Sequence, residues 1–158
     1  KGEWRFEPKW TLFGSVAYAN GTNESTGRPI DSVDPLKAIG GLPALVGRCE
    51  ANAGAVRAFL AGKGWIADLA EDPATGSTTS VCLKFTDARI RDGAAFAKAV
   101  AKRLEKEGVG LDAGAYRDAP PGLRIWCGAT VETADVAALM PWIEWAFAAE
   151  IEAQSVAT

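Results

Sequence analysis

Histidine is absent from all 158 residues of this sequence. The absence excludes catalytic triads and metal sites built on imidazole, together with any acid–base step that needs a histidine. Only three cysteines are present, widely separated and without a Cys-x-x-Cys pair, which argues against structural zinc and against a disulfide framework. We therefore predict no metal site, and we expect Cys49, Cys82 and Cys127 to be buried thiols of a cytoplasmic protein.

Long apolar runs and strong charge are also missing. No stretch approaches the roughly 20 apolar residues of a transmembrane helix, no signal peptide opens the chain, and the formal net charge is only −3. This charge gives no electrostatic reason to expect nucleic acid or a membrane as a partner. With 48% hydrophobic and 23% charged residues, the composition is that of a soluble, folded protein.

The first 39 residues differ in pattern from the remainder. Residues 10–19 alternate as a strand does, and residues 20–29 are turn-forming, a combination typical of an outer-membrane barrel strand. Residues 10–19 and 31–38 resemble a barrel segment of TonB-dependent haem or haemoglobin receptors. One strand cannot close a barrel, so a receptor fragment is an alternative without a transport function. Either two unrelated fragments join near residues 38–41, or a short amphipathic segment shares this pattern by chance.

Residues 40–158 predict one domain with an alternation of helices and strands. We expect an α/β domain, more specifically an α+β sandwich, whose short, mostly antiparallel sheet has helices on one side. Thr133 is predicted to cap the last helix, and Pro141 either to kink that helix or to start a second one. We interpret Trp142, Trp145 and Phe147 as side chains that pack against the sheet. The expected strands cover residues 65–69, 79–85, 109–115 and 123–127, and the expected helices cover residues 42–61, 92–107 and 133–151.

A stiff loop followed by a strand holds the candidate site. Pro120 and Pro121 restrict the backbone, and the strand that follows alternates, with Arg124 and Trp126 on one face. A guanidinium presented from a rigid strand suits forked recognition of a carboxylate or phosphate. The ordinary alternative is an arginine that is solvated or paired with a surface acid.

The sequence of this loop and strand resembles the C-terminal small domain of phosphoserine aminotransferases of the bacterial and archaeal type. The resemblance extends over about residues 40–147. Its separate blocks lie in the same order as in that family, at residues 66–70, 72–75, 79–84, 116–128 and 139–142.

The resemblance implies a small domain of a fold-type-I pyridoxal phosphate enzyme. Such an enzyme exchanges an amino group between phosphoserine or glutamate and the corresponding 2-oxo acids, in serine biosynthesis, with the cofactor as electron sink. It implies that Arg124 grips the substrate carboxylate and that Arg117, a weaker candidate, meets the substrate phosphate. Trp126 is a candidate wall of the same pocket, with ordinary packing as the alternative.

The family's Schiff-base lysine lies in a large domain that residues 1–39 do not supply. Without that lysine there is no internal aldimine. We therefore expect no catalytic residue, no bound pyridoxal phosphate and no transaminase activity from this chain alone. A recombined or isolated domain without activity remains the alternative. The sequence leaves open whether the chain forms a homodimer, as the family's enzymes do.

Overall fold

A computed structural model describes residues 40–116 and 118–156 of the chain. The chain divides into two compact units, Lys1–Gly47 and Arg48–Thr158, and of the first only residues 40–47 are described. The receptor-like segment at residues 10–38 therefore lies outside the described residues. Among those that are described, no helix combines the length and hydropathy of a membrane span.

The described elements follow the order helix, two strands, helix, strand, helix. A short 3₁₀ helix at Pro73–Thr75 lies between the first two strands, with Asp72 as its cap. The bounds are α1 Gly41–Leu60, β1 Ile66–Asp68, β2 Ser80–Phe85, α2 Gly93–Lys106, β3 Gly122–Trp126 and α3 Thr133–Val156.

The three strands form an antiparallel sheet in the order β1-β2-β3. One face carries buried side chains, because Val81 and Leu83 of β2 lie opposite Ile125 and Leu123 of β3. These side chains share one core with residues of all three helices, among them Val56, Phe96 and Ile143. The helices thus cover one side of the sheet, which confirms the predicted α+β arrangement.

Helix α2 buries one apolar face, formed by Phe96, Ala97, Val100 and Leu104. Asp92 caps α2 by accepting hydrogen bonds from the amides of Ala94 and Ala95, both at 3.0 Å. Aromatic rings fill the space between sheet and helices, and Trp65 stacks on Phe147 with ring centroids 4.0 Å apart. The core is therefore built from elements that the sequence locates correctly.

β3 approaches β2 unusually closely at its first residue. A Cβ atom built on Gly122 would lie 1.8 Å from the carbonyl oxygen of Leu83. No residue with a side chain fits at this point without moving the strand.

Several local predictions are wrong. Residues 109–115 form no strand, and only Gly114 among them bridges to Leu123. The amides of Val109 and Gly110 donate instead to the Leu104 carbonyl and end α2. Asp112 then takes the left-handed conformation, with φ of 53°. Of the two alternatives for Pro141, the structure excludes a second helix, since α3 continues through this proline.

Two further expectations for α3 fail. Thr133 is the first residue of the helix and not its cap, and its hydroxyl donates to the side chain of Asn52. Trp142 and Trp145, expected to pack against the sheet, lie on the outward side of the helix and are exposed. They contact each other edge to face, with ring centroids 5.6 Å apart.

Candidate functional site

Arg124 lies in the middle of β3, on the face of the sheet that turns away from the helices. Its neighbour across the sheet is Cys82 of β2. Its side chain is only 18% exposed. The strand position therefore presents a guanidinium at the edge of solvent, with most of its aliphatic stem covered.

Two side chains hold the guanidinium of Arg124. Nη1 donates to the hydroxyl oxygen of Tyr116 at 2.8 Å, and the tyrosine ring lies against the guanidinium at 4.2 Å from its centroid. Nη2 donates to Oδ2 of Asp112 at 2.6 Å. The ordinary alternative for a strand arginine, pairing with a surface acid, is thus present in this structure.

One donor of the guanidinium is left over. Nε of Arg124 is buried and has no hydrogen-bond partner among the residues that the structure describes. Asp112 bonds the arginine side chain through Nη2 alone, so the pair is not a two-bond fork. The group retains the capacity for one further strong hydrogen bond.

The backbone beside β3 explains how Asp112 reaches Arg124. The amide of Arg124 donates to the carbonyl of Ala113 at 2.9 Å, and Gly114 bridges to Leu123. These contacts hold the chain at the edge of β3, next to the arginine. The side chain of Asp112 is 87% exposed.

Trp126 lies on the same sheet face as Arg124, two residues further along β3. Its indole nitrogen donates to Oγ1 of Thr130 at 3.0 Å, and the ring lies so close to Gly128 that a Cβ there would be 2.3 Å from it. No hydrogen bond or ring contact joins it to Arg124 within the described ranges. The structure therefore places Trp126 near the site and orients its ring towards the following turn.

Arg117, the second basic candidate, lies outside the described residues. The chain on either side of it is described, and the amide of Ala119 donates to the carbonyl of Tyr116 at 3.1 Å. Its proposed contact with a substrate phosphate therefore stays a prediction.

Asn52 organises the end of β3 and was missed by the sequence interpretation. It is fully buried, and its Nδ2 donates to the carbonyls of Cys127, Gly128 and Val131 at 3.1–3.2 Å. Its Oδ1 accepts from the Thr133 hydroxyl at 2.6 Å. An asparagine within a mostly apolar helical stripe carried no signal of this role, since its partners lie some 80 residues away in sequence.

Cys127, next to the carbonyls that Asn52 binds, is an inert thiol. Burial raises its pKa from 9.0 to about 11. All three cysteines are free; Cys49 is also buried, and Cys82 is half-buried. The expectation of buried thiols without disulfides is confirmed for Cys49 and Cys127.

The arrangement suits binding better than catalysis. A covered guanidinium with a spare donor can recognise a carboxylate, or the oxygens of a phosphate. A surface cavity of about 520 Å³ lies between α2 and the segment at Asp112, and its lining includes Asp112, Lys98, Lys102 and Glu105 but not Arg124. Within the described ranges, no group of three or more acidic or cysteine side chains could hold a metal ion.

Comparison with curated proteins gives two clear relatives. The chain is 46% identical over 113 residues to the phosphoserine aminotransferase of Methanosarcina barkeri and 45% identical over 113 residues to that of Methanosarcina mazei. Each match covers 70% of this chain and 29% of the relative. The chain therefore spans less than a third of the length of these enzymes. No family model matches it.

Solved structures show the same fold. The chain matches phosphoserine aminotransferase from Bacillus circulans subsp. alkalophilus with a TM-score of 0.62 and 17% identity, over 75% of this chain and 30% of that one. A structure recording radiation damage of the Schiff base in phosphoserine aminotransferase matches with a TM-score of 0.60 and 15% identity. That match covers 74% of this chain and 31% of the other.

At these identities the structural matches speak for the fold alone, whereas the sequence matches speak for descent. Both point to the same enzyme and to a similar share of its length. The matched part of this chain is a fragment that belongs to the phosphoserine aminotransferase family.

Proposed function

We propose that residues from about 40 onwards are the C-terminal small domain of a phosphoserine aminotransferase-like enzyme, with Arg124 as its substrate-carboxylate site. The parent reaction would exchange an amino group between phosphoserine or glutamate and the corresponding 2-oxo acids, in the cytoplasm. Residues 1–39 would be an appendage of different origin. The observation that carries the proposal is the covered guanidinium of Arg124, on the open sheet face, with its Nε left without a partner among the described residues.

The role of Arg124 is orientation. A carboxylate bonded to two nitrogens of a planar guanidinium is fixed in one plane, which a single ammonium group cannot achieve. Tyr116 supports this because its hydroxyl and its ring both hold the guanidinium in place. The substrate would thereby be presented in one orientation to catalytic groups elsewhere in the enzyme.

Two further residues complete the proposed site. Arg117 would meet the substrate phosphate, and Trp126 would form a wall beyond Arg124. The exposed indole of Trp126 and its position two residues from the arginine on the same face are compatible with such a wall.

Cofactor chemistry is not assigned to this part of the chain. The family depends on pyridoxal phosphate, whose aldehyde reacts with a lysine amine that the protein activates by desolvation or by a neighbouring cation. Lys63 and Lys84 pair with surface glutamates, and Lys98, Lys102 and Lys106 are exposed on α2. These lysines therefore lack the surroundings that would activate an amine for a Schiff base with the cofactor. We propose that the small domain contributes substrate binding alone.

One observation favours a second candidate, a domain without any binding activity. Arg124 is already bonded to Asp112 and Tyr116, as a purely structural arginine would be. The two candidates differ in whether an external carboxylate reaches the guanidinium.

Titration of the 158-residue chain with O-phospho-L-serine and with L-glutamate tests the proposal. We expect weak, saturable binding with a Kd of about 1–10 mM, since a single charge-assisted site supplies only a few kcal/mol. Arg124→Ala should abolish it, and Arg89→Ala, which removes an equally charged surface arginine paired with Asp87, should not. Absence of saturable binding, or equal loss in both variants, would contradict the proposal and favour the inactive domain.

A separate measurement tests the assignment of cofactor chemistry. After incubation with pyridoxal phosphate and reduction with borohydride, we expect no stoichiometric label on any one lysine. A single fully labelled lysine would contradict the assignment, whatever the titration shows.

A further inference from the structure

The Arg124–Asp112 pair is strongly asymmetric. The arginine side chain is 18% exposed, whereas the aspartate side chain is 87% exposed. Within the described ranges, the side chain of Asp112 has no other hydrogen bond or ion pair. Asp112 can therefore rotate into solvent, whereas the covered side chain of Arg124 stays at the sheet surface.

The bond itself is the kind that a ligand can replace. Ion pairs with a solvent-exposed partner are weak, because water and salt compete with the contact. The Asp112 carboxylate accepts from Nη2 with one oxygen, Nη2 also donates to the Asp112 backbone carbonyl at 3.5 Å, and Nε stays without a partner among the described residues. A free carboxylate in the same place could bond Nη2 and Nε together, and two such bonds are stronger than one.

Backbone geometry keeps the aspartate close to the arginine. Asp112 is the one non-glycine residue in the described ranges with a positive φ, a conformation that aspartate tolerates better than most residues. The pairing of Ala113 and Gly114 with β3 holds it beside the arginine. The acid is thus tethered next to the site at high effective concentration.

We propose that Asp112 is an intramolecular carboxylate that occupies the Arg124 site and is displaced by the carboxylate of an incoming ligand. The proposal rests on the proposed function, because it assumes that Arg124 binds an external carboxylate. Asp112 would act as a competitor that keeps the guanidinium paired when no ligand is present and raises the apparent dissociation constant for a carboxylate ligand.

The experiment uses the ¹⁵N-labelled 158-residue chain and follows the Arg124 side-chain Nε–H resonance, assigned by its loss in Arg124→Lys. The probe is propionate, a simple carboxylate. We expect Asp112→Asn to raise the association constant about two- to fivefold, because the competing charge is removed. Asp112→Gly suits a positive φ and should give the same rise.

The matched control is Asp118→Asn, which makes the same charge change in the exposed loop that leads to β3. It should leave the association constant within about 1.5-fold, since salt screens the effect of a surface charge that lies beyond direct contact with the arginine. Equal or weaker binding by both Asp112 variants would overturn the proposal, because Asp112 would then position the arginine. Failure of every variant to bind propionate would overturn it as well.

The same titrations separate this inference from the proposed function. If the Asp112 variants bind propionate more tightly but O-phospho-L-serine and L-glutamate bind no better than propionate, Asp112 is the competitor and the aminotransferase substrate assignment fails. If those substrates bind through Arg124 and the Asp112 variants show no gain, the substrate assignment stands and the competitor role fails.

Discussion

Two polar clusters meet the strand β3, and they differ in how completely their hydrogen bonds are satisfied. At its end, Asn52 is fully buried, and both ends of its amide are bonded. In its middle, Arg124 bonds an exposed acid and an exposed tyrosine and keeps a spare donor. A closed network of the first kind stabilises a fold, whereas an incompletely used group of the second kind is suited to a ligand.

The strongest test of this comparison pairs Asn52→Ala with Arg124→Ala. Removing Asn52 takes the side-chain donor from the carbonyls of Cys127, Gly128 and Val131 and the acceptor from the Thr133 hydroxyl, so the free energy of unfolding should fall by about 3 kcal/mol or more. Removing Arg124 should cost about 1 kcal/mol or less, because its partners are exposed. Urea denaturation of both variants measures the difference. Similar losses would remove the distinction between the clusters.

The pH dependence of the free energy of unfolding tests the burial of the Cys127 thiol, next to the Asn52 cluster. Its folded pKa of about 11 lies above its ordinary value of 9.0, so the unfolded chain ionises first as the pH rises. The protonated thiol of Cys127 makes its full contribution to the free energy of unfolding below pH 9. This contribution falls by about 2 kcal/mol as the pH rises from 9 to 11. Unfolding free energies of the wild type and of Cys127→Ala should therefore converge over this range. Parallel pH profiles would contradict burial as the cause.

Two threonines that follow β3, one in the turn and one at the start of α3, allow a finer comparison. Thr133→Val removes the donor to the buried Asn52 oxygen and should cost about 1–2 kcal/mol. Thr130→Val removes the acceptor of the exposed Trp126 indole and should cost about 0.5 kcal/mol or less. Thermal denaturation of the two variants ranks them. The reverse order would show that the turn is held by Trp126.

The smallest expected effect comes from a substitution beside Arg124, on the sheet face that turns away from the helices. Tyr116→Phe keeps the ring under the guanidinium but removes the acceptor for Nη1. We expect unchanged stability and carboxylate binding about threefold weaker, because the guanidinium is less firmly held. Calorimetric titration with O-phospho-L-serine measures the change. A loss of stability without a change in affinity would make Tyr116 a structural residue.

The sequence predicted the elements that periodicity controls. Apolar spacing placed the ends of α1, α2 and β2 within one residue of their observed positions, and the alternation after Pro121 located Arg124 on its face correctly. Local spacing could not supply long-range partners. Asn52 and Thr133 are 81 positions apart, and the pairing of Asp112 with Arg124 depends on a left-handed residue in a segment that pattern alone assigned to a strand.

Trp142 and Trp145 show a second limit of the sequence. α3 is apolar on nearly all sides, so hydropathy does not reveal which side faces the core. The structure buries Val136, Met140 and Ile143 and leaves the two tryptophans outside. An apolar residue in such a helix is weak evidence for burial.

The close approach at Gly122 sets the alignment of β2 with β3. Opposite Lys84, only a residue without a side chain clears the Leu83 carbonyl, so a slip by one position would force Pro121 or Leu123 into that gap. Such a slip would also turn every side chain of the strand to the other face. Gly122 therefore fixes the register of β3 against β2. With that register, the guanidinium of Arg124 faces solvent, and Leu123 and Ile125 face the core.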